Sequence, residues 1–256
     1  MKTQSILAGV LLALCLAGCA GQKQAAEGTE PPNASAEQTQ TQAQTQAQTQ
    51  TQAQTQTQAQ ALRTTYEDTA LVGNSYIDSF YVYDAMPKAS YFYRVGLNVS
   101  NAFDKPMVQG EDTQTPVIDL LKGKDFAHII LFFGENELGW SSRDAFIEGY
   151  SKVIDTARSY CPNAVIYLSA IPPVSEEVSE KNQYNTNNAA IQACNAEIEQ
   201  IAQEKNAVYV DAFSALADTN GCLPADAATD GIHPAKTYTE KWAELFKENI
   251  AEAEEK

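Results

Sequence analysis

From residue 69 onward the chain alternates short apolar runs with longer stretches of helical period. The runs are 69–72, 94–99, 129–133, 164–171 and 207–211, each of strand length. Phe146, Tyr150, Val153, Ile154 and Ala157 recur at helical spacing, as do Ile191, Cys194, Ile198 and Ile201. Tyr238, Trp242, Leu245, Phe246 and Asn249 make a third stripe. Mostly charged residues lie opposite, so each stretch predicts an amphipathic helix with one buried face. Cys161-Pro162-Asn163 predicts the stop of the first helix. Strands alternating with helices imply βαβ units and a parallel sheet covered on both sides. The uninterrupted run Ile129-Ile130-Leu131-Phe132-Phe133 fits a strand buried on both faces. The expected architecture is therefore α/β, a three-layer αβα sandwich. In such sheets ligands bind beyond the carboxyl ends of the strands. Gly73-Asn74-Ser75 and Gly134-Glu135-Asn136 both belong to that edge.

Ahead of this domain the pattern changes twice. Lys2 precedes an apolar stretch, Ile6 to Leu16, too short to span a bilayer as a helix, and small residues follow. Leu16-Ala17-Gly18-Cys19 resembles the lipobox of bacterial lipoproteins. That resemblance implies cleavage before Cys19, lipidation of its sulfur and a location outside the cytoplasmic membrane, with at least two acyl chains for stable anchoring. An ordinary signal peptide with a cysteine at its cleavage site is the alternative. Residues 20–61 then collapse to Gln, Thr, Ala, Glu and Pro, with almost no apolar side chain larger than alanine to offset ordering entropy. A flexible tether of that length has a root-mean-square span of about 35 Å and a drawn-out reach of about 140 Å. The expected division is a targeting segment over 1–19, a disordered tether over 20–61 and one domain over 62–256, long enough for a sizeable core.

Composition narrows the partners. The net charge of −16 and pI near 4.4 argue against nucleic acid, whose phosphates need a basic surface. Nothing in the pattern calls for a second subunit, so a monomer is expected. Outside the targeting segment the cysteines are Cys161, Cys194 and Cys222, an odd number that does not suggest a disulfide framework.

The chain contains two histidines. His128 precedes a buried strand and reads as structural, which leaves His233 as the candidate base. Asp230 precedes it by three positions. Attack by a hydroxyl needs a base for its proton and a third group to orient that base, and Ser75, His233 and Asp230 could supply all three. Each also has a structural reading. Ser75 would suit a helix N-cap, Asn136 a cap of its own turn, and Asp230 the shaping of an Asp-Gly turn. Glu135 and Glu137 lack the further ligands a metal site would want, and read as residues that orient loops or fringe a pocket.

Taken in order, Gly73-Asn74-Ser75, Gly96, Gly134-Glu135-Asn136-Glu137 and Asp230-Gly231-Ile232-His233 resemble the blocks of the SGNH/GDSL hydrolases. The resemblance spans the domain and implies a flavodoxin-like fold and a serine esterase that works without metal or organic cofactor. By position it implies Ser75 as nucleophile, His233 as base and Asp230 as its orienting acid. The oxyanion hole would comprise the Ser75 and Gly96 backbone N–H groups and the Asn136 amide. The alternative is that Gly96 is only a turn or close-packing glycine, with Asn98 or Asn101 lining the pocket instead. An unperturbed imidazole titrates near about 6.5, so activity is expected to fall in acid. Two departures stand out: Asn74 where aspartate is commonest, which puts support of the loop in question, and Glu137 where many members have aspartate. Neither removes a reacting group. The family's substrates include O-acetylated polysaccharides, short acyl esters, lipids and thioesters, and a surface location favours O-acetylated glycans. The loop 182–188, rich in amides with one tyrosine, would suit such a ligand or simply be solvated. Acyl transfer to a sugar would use the same residues. A binding protein that kept the fold and lost turnover is the rival of another class.

Overall fold

The computed structural model describes residues 65–107 and 114–255. The targeting segment with Cys19, and the tract 20–61, lie outside these residues. Five strands form one parallel sheet: β1 (Thr69–Gly73), β2 (Ser90–Tyr93), β3 (His128–Phe132), β4 (Val165–Ser169) and β5 (Val208–Val210). Their spatial order is β2-β1-β3-β4-β5, that of flavodoxin-like doubly wound sheets. The helices are α1 (Tyr76–Val82), α2 (Arg143–Tyr160), α3 (Glu176–Lys181), α4 (Asn188–Glu204), α5 (Ala212–Leu216) and α6 (Lys236–Glu254).

Two neighbouring phenylalanines show why there are three layers. Successive side chains along a strand point to opposite faces. Phe132 meets Trp242 and Phe246 of α6 and Phe80 of α1 on one side. Phe133, the next residue, meets Tyr150 of α2 on the other. β1 and β3 are buried along their whole length, as expected of strands covered on both faces. The predicted stripes of α2 and α4 are the buried ones.

The pattern misplaces two elements. The run 94–99 is not a strand. The second strand is the aromatic stretch Ser90–Tyr93, and the chain then turns at 94–97 with a Leu97 N–H to Arg94 C=O bond of 3.0 Å. Gly96 sits third in that turn with φ +73°, the left-handed value a type II turn requires there. On α6 the buried face runs through Thr239, Trp242, Ala243, Phe246 and Ile250, one position round from the predicted stripe, with Tyr238 and Leu245 only half-buried. Thr239 can be buried because its hydroxyl donates to the Pro234 carbonyl at 2.9 Å.

Sheet order locates the site. The strand order reverses between β1 and β3, and a crevice opens beyond their carboxyl ends at such a switch point. β1 ends at Gly73 and β3 at Phe132, paired in register.

Candidate active site

Ser75 is the first residue after β1 that is not buried. Its turn is drawn tightly against β3: a Cβ on Gly73 would lie 2.3 Å from the Phe132 carbonyl oxygen, so only glycine fits. Asn74 is buried, and its side-chain oxygen accepts the Tyr76 N–H at 3.1 Å, closing the turn around the serine. Ser75 stands at the N-cap position of α1, yet its hydroxyl caps nothing. Ser75 Oγ instead lies 2.8 Å from His233 Nε2.

His233 comes from a loop immediately ahead of α6, at the other end of the domain's chain. Its Nδ1 is 2.6 Å from Asp230 Oδ2. Asp230 Oδ1 accepts the N–H groups of Ile232 at 2.9 Å and His233 at 2.8 Å. Asp230 thus sets one oxygen on the turn and the other on the ring. A carboxylate opposite Nδ1 places the ring proton there, leaving the Nε2 lone pair to accept the serine proton. Burial works against ionisation of Asp230. The bonds from the His233 ring and from the two backbone N–H groups outweigh it and hold the carboxyl below its ordinary range.

The remaining predicted residues converge on the same edge. Arg94 N–H donates to Gly73 C=O at 3.1 Å, so the Gly96 turn starts beside the serine turn. A Cβ on Gly96 would meet nothing within 4 Å, so glycine serves the positive φ rather than close packing. Asn136 does not cap its own turn. Its Nδ2 donates to Leu97 C=O at 2.9 Å, strapping the loop after β3 to the loop after β2. An amide nitrogen carries two hydrogens, so one is left for a ligand. Asn98 and Asn101 spend their side-chain oxygens on backbone N–H groups within 98–101. His128 is buried beside Tyr167 and Glu254, far along the sheet from this edge.

Glu137 is fully buried and staples two loops together, accepting the Val99 N–H at 2.8 Å and the Gly134 N–H at 3.0 Å. Burial pushes its carboxyl up to about 7 against those two bonds. Arg143 fixes the same loop by donating to the Glu137 C=O at 3.0 Å, while its guanidinium pairs with Glu197. At the first position of a helix, Arg143 carries no sequence signal of this role. Glu135, more exposed, lies within electrostatic reach of His233; burial raises its carboxyl and His233 pulls it down. The Glu137 value has a consequence for stability. Between the ordinary value of 4.5 and about 7 the folded protein keeps a proton that the unfolded chain has released. The contribution is thus full below the lower value and lost as pH rises through the upper. Urea midpoints should therefore fall between about pH 5 and about pH 7.5, and fall less steeply in Glu137→Gln, which cannot ionise. Equal slopes in the two proteins would reject this assignment.

The model of the GDSL-like lipase/acylhydrolase family matches residues 108–237, half of the chain. The chain belongs to that family. The match contains Asn136, Asp230 and His233; Ser75 and Gly96 precede it and join these residues in space. No curated protein matches this GDSL-like hydrolase. Among solved structures, one assigned provisionally as a platelet activating factor from Streptococcus pneumonia is 19% identical with a TM-score of 0.60, covering 85% of this chain and 100% of its own. A GDSL-like lipase from Bacteroides thetaiotaomicron is 15% identical (TM-score 0.54; 72% and 88%). An acetylxylan esterase from Geobacillus stearothermophilus is 14% identical (TM-score 0.52; 70% and 91%). These likenesses concern the fold of the hydrolase.

Proposed function

We propose that the protein is a lipid-anchored serine esterase acting outside the cytoplasmic membrane on O-acetyl groups of carbohydrate, through an acyl-Ser75 intermediate. The observation that carries the chemistry is the 2.8 Å contact between Ser75 Oγ and His233 Nε2, with Asp230 on the far ring nitrogen at 2.6 Å. His233 takes the hydroxyl proton as Ser75 Oγ bonds to the ester carbon. The carbonyl oxygen becomes an oxyanion facing the N–H groups of Ser75 and Gly96 and the free hydrogen of Asn136 Nδ2. Collapse breaks the ester bond, and His233 returns its proton to the leaving alkoxide. Water repeats the sequence on the acyl-serine, releasing the carboxylic acid and regenerating the hydroxyl.

Support for a carbohydrate comes from the rim. The loop 182–188 packs against the segment after Asn136: Asn185 Nδ2 donates to Leu138 C=O at 2.8 Å, and a Cβ on Gly139 would lie 3.0 Å from the Tyr184 carbonyl oxygen. Asn182, Tyr184 and Asn185 all have positive φ. For a tyrosine this is uncommon and strained, and the residue is 79% exposed. An exposed aromatic ring on a loop that packs against the segment after Asn136 suits stacking on a sugar. An acetylxylan esterase shares the fold, which agrees with the choice of substrate class. The expected result is acetate release from an O-acetylated polysaccharide, with KM raised about tenfold in Tyr184→Ala, equivalent to about 1.4 kcal/mol. Hydrolysis of a small chromogenic acetate ester should stay within twofold. Unchanged KM on the polymer would remove the sugar platform, and no release at all would remove the glycan. The anchor rests on the sequence Leu16-Ala17-Gly18-Cys19; Cys19→Ser should move the activity from the membrane fraction to the soluble one.

A further inference from the structure

Three polar groups directly beneath the nucleophile turn are buried without a protein partner: Asn74 Nδ2, the Tyr76 hydroxyl and Trp242 Nε1. Asn74 and Tyr76 flank Ser75 in sequence, and Trp242 comes from α6, the helix that follows the His233 loop. All three residues line one small cavity with Phe132, Phe133, Ser169, Ala170 and Ile171. Its volume is about 10 Å³, room for about one water molecule and nothing larger. Burying a donor without a partner costs about 1–3 kcal/mol, and three at one spot is a concentration that native proteins satisfy with an ordered ligand.

We propose that this cavity binds a single structural water, and that the water positions Ser75 by tying both of its neighbours to α6. One molecule can partner all three atoms at once. Asn74 Nδ2 and Trp242 Nε1 can only donate, and together they fill both lone pairs of the water. Its two hydrogens go to the Tyr76 oxygen and to Ser169 Oγ. Ser169 is free to accept because its own proton goes to the Ala170 carbonyl at 2.9 Å. An anion would also accept from the donors, but Phe132, Phe133, Ala170 and Ile171 leave most of the remaining wall apolar. The Glu135 and Asp230 carboxylates also act on Tyr76, and they oppose a further negative charge beside it. The arrangement gives a reason for Asn74. In this chain the residue before the nucleophile must both accept the Tyr76 N–H and donate into the cavity. An amide does both and a carboxylate does not.

The test has a structural and a kinetic arm. Crystals of the protein diffracting well enough to show ordered waters should reveal one peak about 2.7–3.2 Å from Asn74 Nδ2, the Tyr76 oxygen and Trp242 Nε1. An empty cavity, or the three groups turned onto protein acceptors, would overturn the proposal. So would an anomalous bromide peak there after a bromide soak. The kinetic arm rests on the esterase reading and uses a chromogenic acetate ester. Tyr76→Phe keeps its ring and removes only the hydroxyl, and Trp242→Phe removes the N–H together with part of a buried ring. Each should lower kcat about tenfold with KM within twofold, since a small misplacement of the nucleophile slows chemistry rather than binding. Because both variants evict the same molecule, the double variant should lose about tenfold, not a hundredfold. Losses that multiply would reject the shared water. Absence of any turnover in the unmodified protein would instead indict the esterase reading, leaving the diffraction result to decide the water.

Discussion

Ser75→Ala should lower kcat on a chromogenic acyl ester by about 10⁴–10⁶, while leaving the thermal midpoint almost unchanged. The two halves of this expectation come from one observation. The hydroxyl's hydrogen-bond partner is His233 Nε2, and it contributes no cap to α1. Deleting it therefore removes the attacking atom and little else. A residue acting as an N-cap would show the reverse, a loss of about 1 kcal/mol in stability with chemistry intact. A serine-directed fluorophosphonate should add mass to the peptide containing Ser75 and to no other, and the variant should take up none. Equal turnover by the two proteins would remove Ser75 from the reaction.

The second large effect is expected at Asp230→Asn, a fall of about 10³–10⁴ in kcat with the fold intact. The reason lies in how the two carboxylate oxygens are used. Oδ1 holds the turn through the Ile232 and His233 N–H groups, and the amide oxygen of asparagine will take that place. The amide nitrogen is then left facing Nδ1 of the ring, where Asp230 Oδ2 stood at 2.6 Å. An N–H donor there demands a lone pair on Nδ1 and drives the ring proton to Nε2. Nε2 would then present a hydrogen to Ser75 instead of accepting one. Slow fluorophosphonate labelling should persist in this variant, which separates it from Ser75→Ala. A rate within tenfold of the unmodified enzyme would mean that Asp230 only shapes its turn.

What could be read from the sequence was whatever depends on spacing along one element. Runs such as Ile129 to Phe133, and the faces of α2 and α4, follow from periodicity alone, and with them the α/β architecture. The second strand could not be read this way. Ser90–Tyr93 is a half-exposed edge strand of polar and aromatic residues, whereas Val95, Leu97 and Val99 alternate as a strand would. The positive φ at Gly96 breaks that run, and a glycine does not announce which of its conformations it adopts. Helix α1 is short and draws its register from the serine turn rather than from its own pattern. At the site, the residue types with reactive chemistry were visible because histidine is scarce. The contacts that brace them were not. Glu137 on the Val99 N–H, Asn136 on Leu97 and Trp242 beneath Asn74 join segments distant in sequence, and nothing local marks them.

Asp230 and His233 share one four-residue turn braced by its own backbone, so they travel as a cassette. Ser75 and His233, by contrast, are 158 positions apart in sequence, and the whole sheet must be assembled before they touch. In the proposed mechanism catalysis therefore hangs on a single non-local joint. Mild denaturant that loosens the loop should silence the enzyme before the core melts, with the imidazole still clasped by its carboxylate.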